Sequence, residues 1–207
     1  MASPSIPERY LAEDPADPDP QLAPLHAALA RRNRSEPIII RGFKALSVAL
    51  AAGFERVSYE SHLLESGHMY WITDAHARAL GRLLPPRLRY FGLILTTLEA
   101  DGFSVLASAM ADGARIDELL VKHTSGDEVT VTEARGLARW VSRARVRSFH
   151  LWAGEFDDGA LDAFCDEILW SDNRSLHEVD ICLTTLPEPE DQRPMPRLAE
   201  LLAYNRR

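Results

Sequence analysis

Residues 88–98 read Leu88-Arg89-Tyr90-Phe91-Gly92-Leu93-Ile94-Leu95-Thr96-Thr97-Leu98. Apolar side chains at the first, fourth and sixth positions suit a strand that turns one face to a core, because successive strand residues point to opposite sides. The same spacing returns as Phe54-Val57-Tyr59, Ile116-Leu119-Val121, Val146-Phe149-Leu151 and Leu176-Val179-Ile181. In chain order the five starts lie 34, 28, 30 and 30 residues apart. A repeat of ~20 to 50 residues signals stacked units, none of which buries its apolar face alone.

Each strand pattern is followed by a segment of helical period: 73–84, 102–111, 132–143 and 157–170. In the last of these, Leu161, Phe164, Cys165, Ile168 and Leu169 share one face, with Asp162, Asp166 and Glu167 elsewhere. One strand and one helix per unit require a crossover between successive strands. The strands are therefore expected to be parallel, with the helices on one side.

The segment 88–98 resembles the leucine-rich-repeat family, whose repeats read L-x-x-L-x-L, then an Asn or Cys position, then Leu. Asp158-Gly159-Ala160-Leu161-Asp162-Ala163-Phe164-Cys165 is similar to the helical half of ribonuclease-inhibitor-like repeats. The resemblance covers residues 54–186 in about five units and implies an α/β solenoid with strands on a concave face and helices on a convex face. Where the family places Asn or Cys this chain has His62, Thr96, Thr124, Gly154 and Thr184. An ordinary α/β sheet with similar element lengths is the competing architecture.

A solenoid needs its ends closed. Residues 21–53 read as an N-terminal cap, with a helix near 21–32, a short strand Ile38-Ile39-Ile40 and a helix stopped by Gly53. Residues 187–207 read as a loop and a capping helix that carries Leu198, Leu201 and Leu202 on one face. Residues 1–20, rich in proline and acidic groups, lack the apolar surface that would offset ordering and read as a disordered tail.

The 207 residues carry a net charge of −8, which argues against nucleic acid or anionic lipid as the partner and favours a basic protein surface. Cys165 and Cys182 have neither disulfide-framework nor zinc-ligand spacing. With no signal-like start and no membrane-spanning run, cytoplasm is the expected compartment, and export by a non-classical route stays open. The 21 arginines against 2 lysines point to a GC-rich bacterial source.

If positions four and six face inward, positions three, five and seven form the concave surface. Its expected members include Tyr90, Ile94, Glu118, Leu120, Lys122, His150, Trp152, Glu178 and Asp180. An apolar centre with a polar rim is the pattern of protein-binding patches, and Trp152, Tyr90 and Leu120 are the expected anchors. Arg135, Arg139 and Arg143 read as a solvated helix face, and Asp157-Asp158 as a helix cap. Ser175, His177 and Asp180 lack the order and oxyanion donors of a nucleophile motif. No metal or cofactor signature occurs.

The expectation is a non-enzymatic protein-binding module, with bacterial immunity, effector and regulatory roles all compatible with the resemblance. Its rivals are a small hydrolase or transferase with a deep polar pocket, and a structural solenoid that self-associates.

Overall fold

The computed structural model describes residues 29, 33–40, 43–60, 71–94, 97–98, 101–122, 128–171, 173–183 and 196–205. The expected tail, and all of the 21–32 helix but Leu29, lie outside the described residues. So do the expected loop 187–194 and four of the five Asn-like positions; the fifth, Gly154, is buried.

The chain runs through β1 (Ile38–Ile40), α1 (Phe43–Ala51), β2 (Arg56–Glu60), β3 (Trp71–Ile72), α2 (Asp74–Leu83), β4 (Arg87–Ile94), β5 (Thr97–Leu98) and α3 (Gly102–Ala109). It continues through β6 (Arg115–Lys122), β7 (Glu128–Val129), α4 (Val131–Arg143), β8 (Ser148–Ala153), β9 (Glu155–Phe156), α5 (Ala160–Trp170), β10 (Glu178–Leu183) and α6 (Pro196–Asn205). Six strands form one sheet in the order β1-β2-β4-β6-β8-β10, every neighbouring pair parallel. β1 thus extends the same sheet beyond the first repeat. Two short parallel ladders, β3 with β5 and β7 with β9, join consecutive units where the chain leaves the main sheet.

The one-four-six pattern falls on the covered face. Phe54, Val57, Tyr59, Leu88, Phe91, Leu93, Ile116, Leu119, Val121, Val146, Phe149, Leu151 and Leu176 are buried; Val179 and Ile181 pack against the same core from β10. Each helix packs against the next one in the chain, so the helices form a second layer in the order of the strands. The result is an α/β fold with a parallel six-stranded sheet and alternating helices.

Local signals set the helix starts. Thr130 Oγ1 accepts from Glu133 N at 3.2 Å while Thr130 N donates to Glu133 Oε2 at 3.0 Å, a capping box that satisfies two orphan amides. Thr73 Oγ1 accepts from His76 N at 3.4 Å at the head of α2. At α5 the expected cap differs: Gly159, at φ 82°, occupies the N-cap, with no side-chain cap bond. Asp157 serves through its backbone, its carbonyl accepting from Ala160 N at 2.9 Å.

Among the described residues Trp140 on α4 is the largest side chain fully removed from solvent. It stacks on Phe103 of α3 (5.9 Å, 20°) and meets Phe91 of β4 edge-on (6.1 Å, 78°), tying two helices to the sheet. Its Nε1 has no acceptor among the described residues, so its contribution is packing alone. Trp140→Ala is expected to lower unfolding stability by about 3 to 5 kcal/mol, whereas Trp140→Phe, which forfeits no hydrogen bond, costs markedly less. Urea midpoints of the two variants, with slopes unchanged from wild type, check this order.

Candidate functional site

The helix layer covers one face of the sheet; on the other, side chains alternate into partial or full exposure along β6, β8 and β10. Parallel pairing lines these outward residues up in rows across strands about 4.8 Å apart. The first row is Arg56, Tyr90, Glu118, Ser148 and Glu178. The second is Ser58, Gly92, Leu120, His150 and Asp180. The third is Glu60, Ile94, Lys122, Trp152 and Cys182. All nine residues singled out from the sequence therefore share this one surface.

At the β2–β4 end the face is tied down by its own side chains. A Cβ on Gly92 would lie 2.7 Å from Tyr90 Oη and 3.0 Å from Ser58 Oγ, so the absent side chain leaves room for Tyr90 to lie along its own strand. Ser58 Oγ donates to that hydroxyl at 3.4 Å, and the Arg56 guanidinium sits 5.4 Å from the ring centre, with one nitrogen 3.7 Å from Glu118 Oε2. Tyr90 is thus held flat and half-buried. Leu120 and Ile94 are half-buried beside it.

The other end is more open. Trp152 is 43% exposed, with Lys122 Nζ 5.0 Å from its ring centre. Beside it runs a polar chain that the sequence reading did not assemble. Ser148 Oγ donates to Glu178 Oε2 at 2.8 Å and lies 3.0 Å from His150 Nε2, while His150 Nδ1 lies 3.5 Å from Asp180 Oδ2. The residue types are those of a nucleophile triad, but the geometry is not that of an activated one. A hydroxyl has one proton; given to Glu178, it leaves the imidazole as donor to Ser148, not as its base. The nearby backbone amides are also engaged in the parallel ladders on both sides of β8. What the chain does is fix His150, Glu178 and Asp180 in place. The signal for it was the repeat itself, since Ser148 and Glu178 are register partners, as are His150 and Asp180.

Ser175 and His177 do not join Asp180. Ser175 Oγ donates instead to Asn173 Oδ1, and both Ser175 and His177 line a concavity before the strands begin. The arginine stripe on α4 is exposed as expected: Arg139 Nε donates to Glu167 Oε1 at 2.9 Å, and Arg143 pairs with Asp112. Among the described residues no cluster of His, Cys, Asp or Glu is arranged to hold a metal ion, and no helix is long and apolar enough to cross a membrane. Three cavities of about 390, 490 and 570 Å³ lie between α2 and α3 and along the edge where the strands begin, away from the open face. Comparison of the chain with known protein families and with curated proteins finds no match in either.

The two cysteines fall on opposite sides. Cys165 is buried on α5, and burial pushes its thiol from 9.0 up to about 12, while Cys182 is exposed on the third row. In native protein a thiol reagent is expected to modify Cys182 rapidly and Cys165 only after unfolding, which counting modified thiols by mass before and after denaturant checks. A folded thiol raised above its unfolded value stabilises the native state fully below pH 9. That contribution is lost as pH climbs toward 12, so a Cys165→Ala variant, which has no thiol to ionise on unfolding, should lose less stability between pH 9 and 12 than wild type, as denaturant midpoints across that range check.

Proposed function

We propose that this chain is a short leucine-rich-repeat solenoid of the ribonuclease-inhibitor-like kind, and that it binds another protein on the uncovered face of its sheet. The reading of the architecture is supported by strict sequential strand order, by helices stacked in the same order, and by units of 28 to 30 residues in register over most of the sheet.

The observation that carries the binding reading is the make-up of the three open rows. Trp152 stands 43% exposed beside half-buried Leu120 and Ile94, and the surrounding Glu118, His150, Glu178 and Asp180 supply a polar, net acidic rim. Side chains already fixed by Ser148, Arg56 and one another lose little freedom on binding, which favours recognition by a preorganised surface. The acidic rim suits a partner that offers arginine or lysine to it. Lys122 would then give up its place over the Trp152 ring to a partner group.

A binding face of this kind accommodates the immunity, effector and regulatory roles of small bacterial proteins. An enzymatic reading gains less support, because Ser148 is not activated and the described cavities lie off the open face.

Truncating Trp152 is expected to weaken capture of the partner by about 2 to 4 kcal/mol while leaving the unfolding midpoint nearly unchanged. The check is a side-by-side pull-down with wild type and Trp152→Ala, the variant first verified as folded by thermal melting. Equal retention by both proteins would remove the open face from consideration, and unfolding of Trp152→Ala would contradict its outward position.

A further inference from the structure

We propose that the edge of the sheet where the strands begin carries a second site, which binds a phosphoryl group. The starting point is a backbone anomaly. Helices α1 and α4 end in the same turn: Gly53 N donates to Leu50 O (3.0 Å) and Phe54 N to Ala49 O (3.3 Å), and likewise Arg145 N to Ser142 O (3.1 Å) and Val146 N to Val141 O (3.1 Å). This paired pattern ends a helix with one residue in the left-handed region, normally glycine. At the first turn that residue is Gly53, at φ 80°; at the second it is Arg145, at φ 43°. Among the described residues Arg145 is alone in holding a positive φ without being glycine. A Cβ in that region is strained, and such strain is retained where a side chain has a task.

The Arg145 side chain belongs to a groove of about 390 Å³ shared with Gly113, Arg115, Arg147, Ser175 and His177. The chain uses arginine almost everywhere in place of lysine, so residue type alone says little; the pairing says more. Along this edge Arg89 is matched by Glu55 (2.9 Å), Arg115 and Arg87 by Asp117 (2.8 and 3.9 Å) and Arg143 by Asp112. Among the described residues the only carboxylate lining this groove or the concavity beside it is Asp112, which already pairs with Arg143. Arg145 and Arg147 have no ion-pair partner among the described residues, and both are exposed.

An independent observation comes from the adjoining concavity, which shares Gly113, Arg145 and Ser175 with the groove. Asn173 lines it with only 8% of its surface exposed, and its Oδ1 accepts from Ser175 N at 2.9 Å. Its Nδ2, enclosed from solvent, finds no acceptor among the described residues. Two guanidinium groups without an ion-pair partner among the described residues, the Asp117-paired guanidinium of Arg115 and the His177 imidazole line one groove, a donor set suited to an acceptor-rich anion. A phosphate monoester, with its double charge and several oxygens, matches guanidinium forks better than a single carboxylate does. The net charge of −8 favours one compact group over a long polyanion laid across the surface.

The group can be free phosphate or a phosphorylated side chain of a protein. Calorimetric titration of the full chain with inorganic phosphate, at constant ionic strength, is the test, followed by a phosphoserine peptide and its unphosphorylated twin. Arg145→Gly removes the guanidinium while relieving the backbone, so it remains folded, with a melting midpoint equal to or above wild type. Saturable binding by wild type, weakened about tenfold or more by Arg145→Gly and by Arg147→Gln but not by Arg135→Gln on the outer face of α4, is the expected result. Tighter binding of the phosphoserine peptide than of phosphate assigns the group to a protein; equal affinity assigns it to free phosphate. No saturable binding, or undiminished binding by folded Arg145→Gly, overturns the proposal.

Discussion

Each strand-and-helix unit has an apolar flank that only its neighbour in the chain can cover, and the rest of the molecule follows from that dependence. Leu88, Phe91 and Leu93 are removed from water because β2 and β6 lie on either side and the helices lie beneath. The same requirement fixes the register, since a slip of one residue would turn every buried side chain outward. Register in turn builds the open face. Once Ser148 is opposite Glu178 and His150 opposite Asp180, the polar chain among them needs no further arrangement.

The strands and their outward rows were legible because two simple periods coincide in this sequence. Alternation separates the two faces of a strand, and the recurrence of whole units says which strands are neighbours. The helix cap at α5 shows where that reading fails. Asp157-Asp158 has the residue type of a cap, but a positive φ at Gly159 starts the helix later, and backbone conformation of that kind is set by the connection from β9. The short ladders β3–β5 and β7–β9 escaped for a related reason, being too brief to carry a period. The central place of Trp140 was also hidden, because a tryptophan at helical spacing reads the same whether it meets one aromatic neighbour or two.

For the open face, the sequence reading identified membership and not posture. Tyr90 belongs to the first row as expected, yet it lies along its strand because Gly92 leaves the space. That depends on a rotamer, which no periodicity encodes. Trp152, by contrast, has Lys122 and Cys182 as its register partners and stands out into solvent. The two ends of the face consequently differ in character: Arg56, Tyr90 and Glu118 engage one another and are half-buried at one end, while Trp152, Glu178 and Asp180 stand exposed to solvent at the other. Arg145 marks a second asymmetry, visible only when the turn after α4 is compared with the turn after α1.

The most direct measurement of the central claim, that the uncovered sheet face is the binding surface, is carboxylate footprinting of the chain alone and with its captured partner. Carbodiimide modification of Glu118, Glu178 and Asp180, located by peptide mass spectrometry, should fall sharply in the complex while Glu133 and Asp162 on the helices remain as reactive as before. Protection of the helix-face carboxylates with the sheet-face carboxylates unchanged would contradict the account.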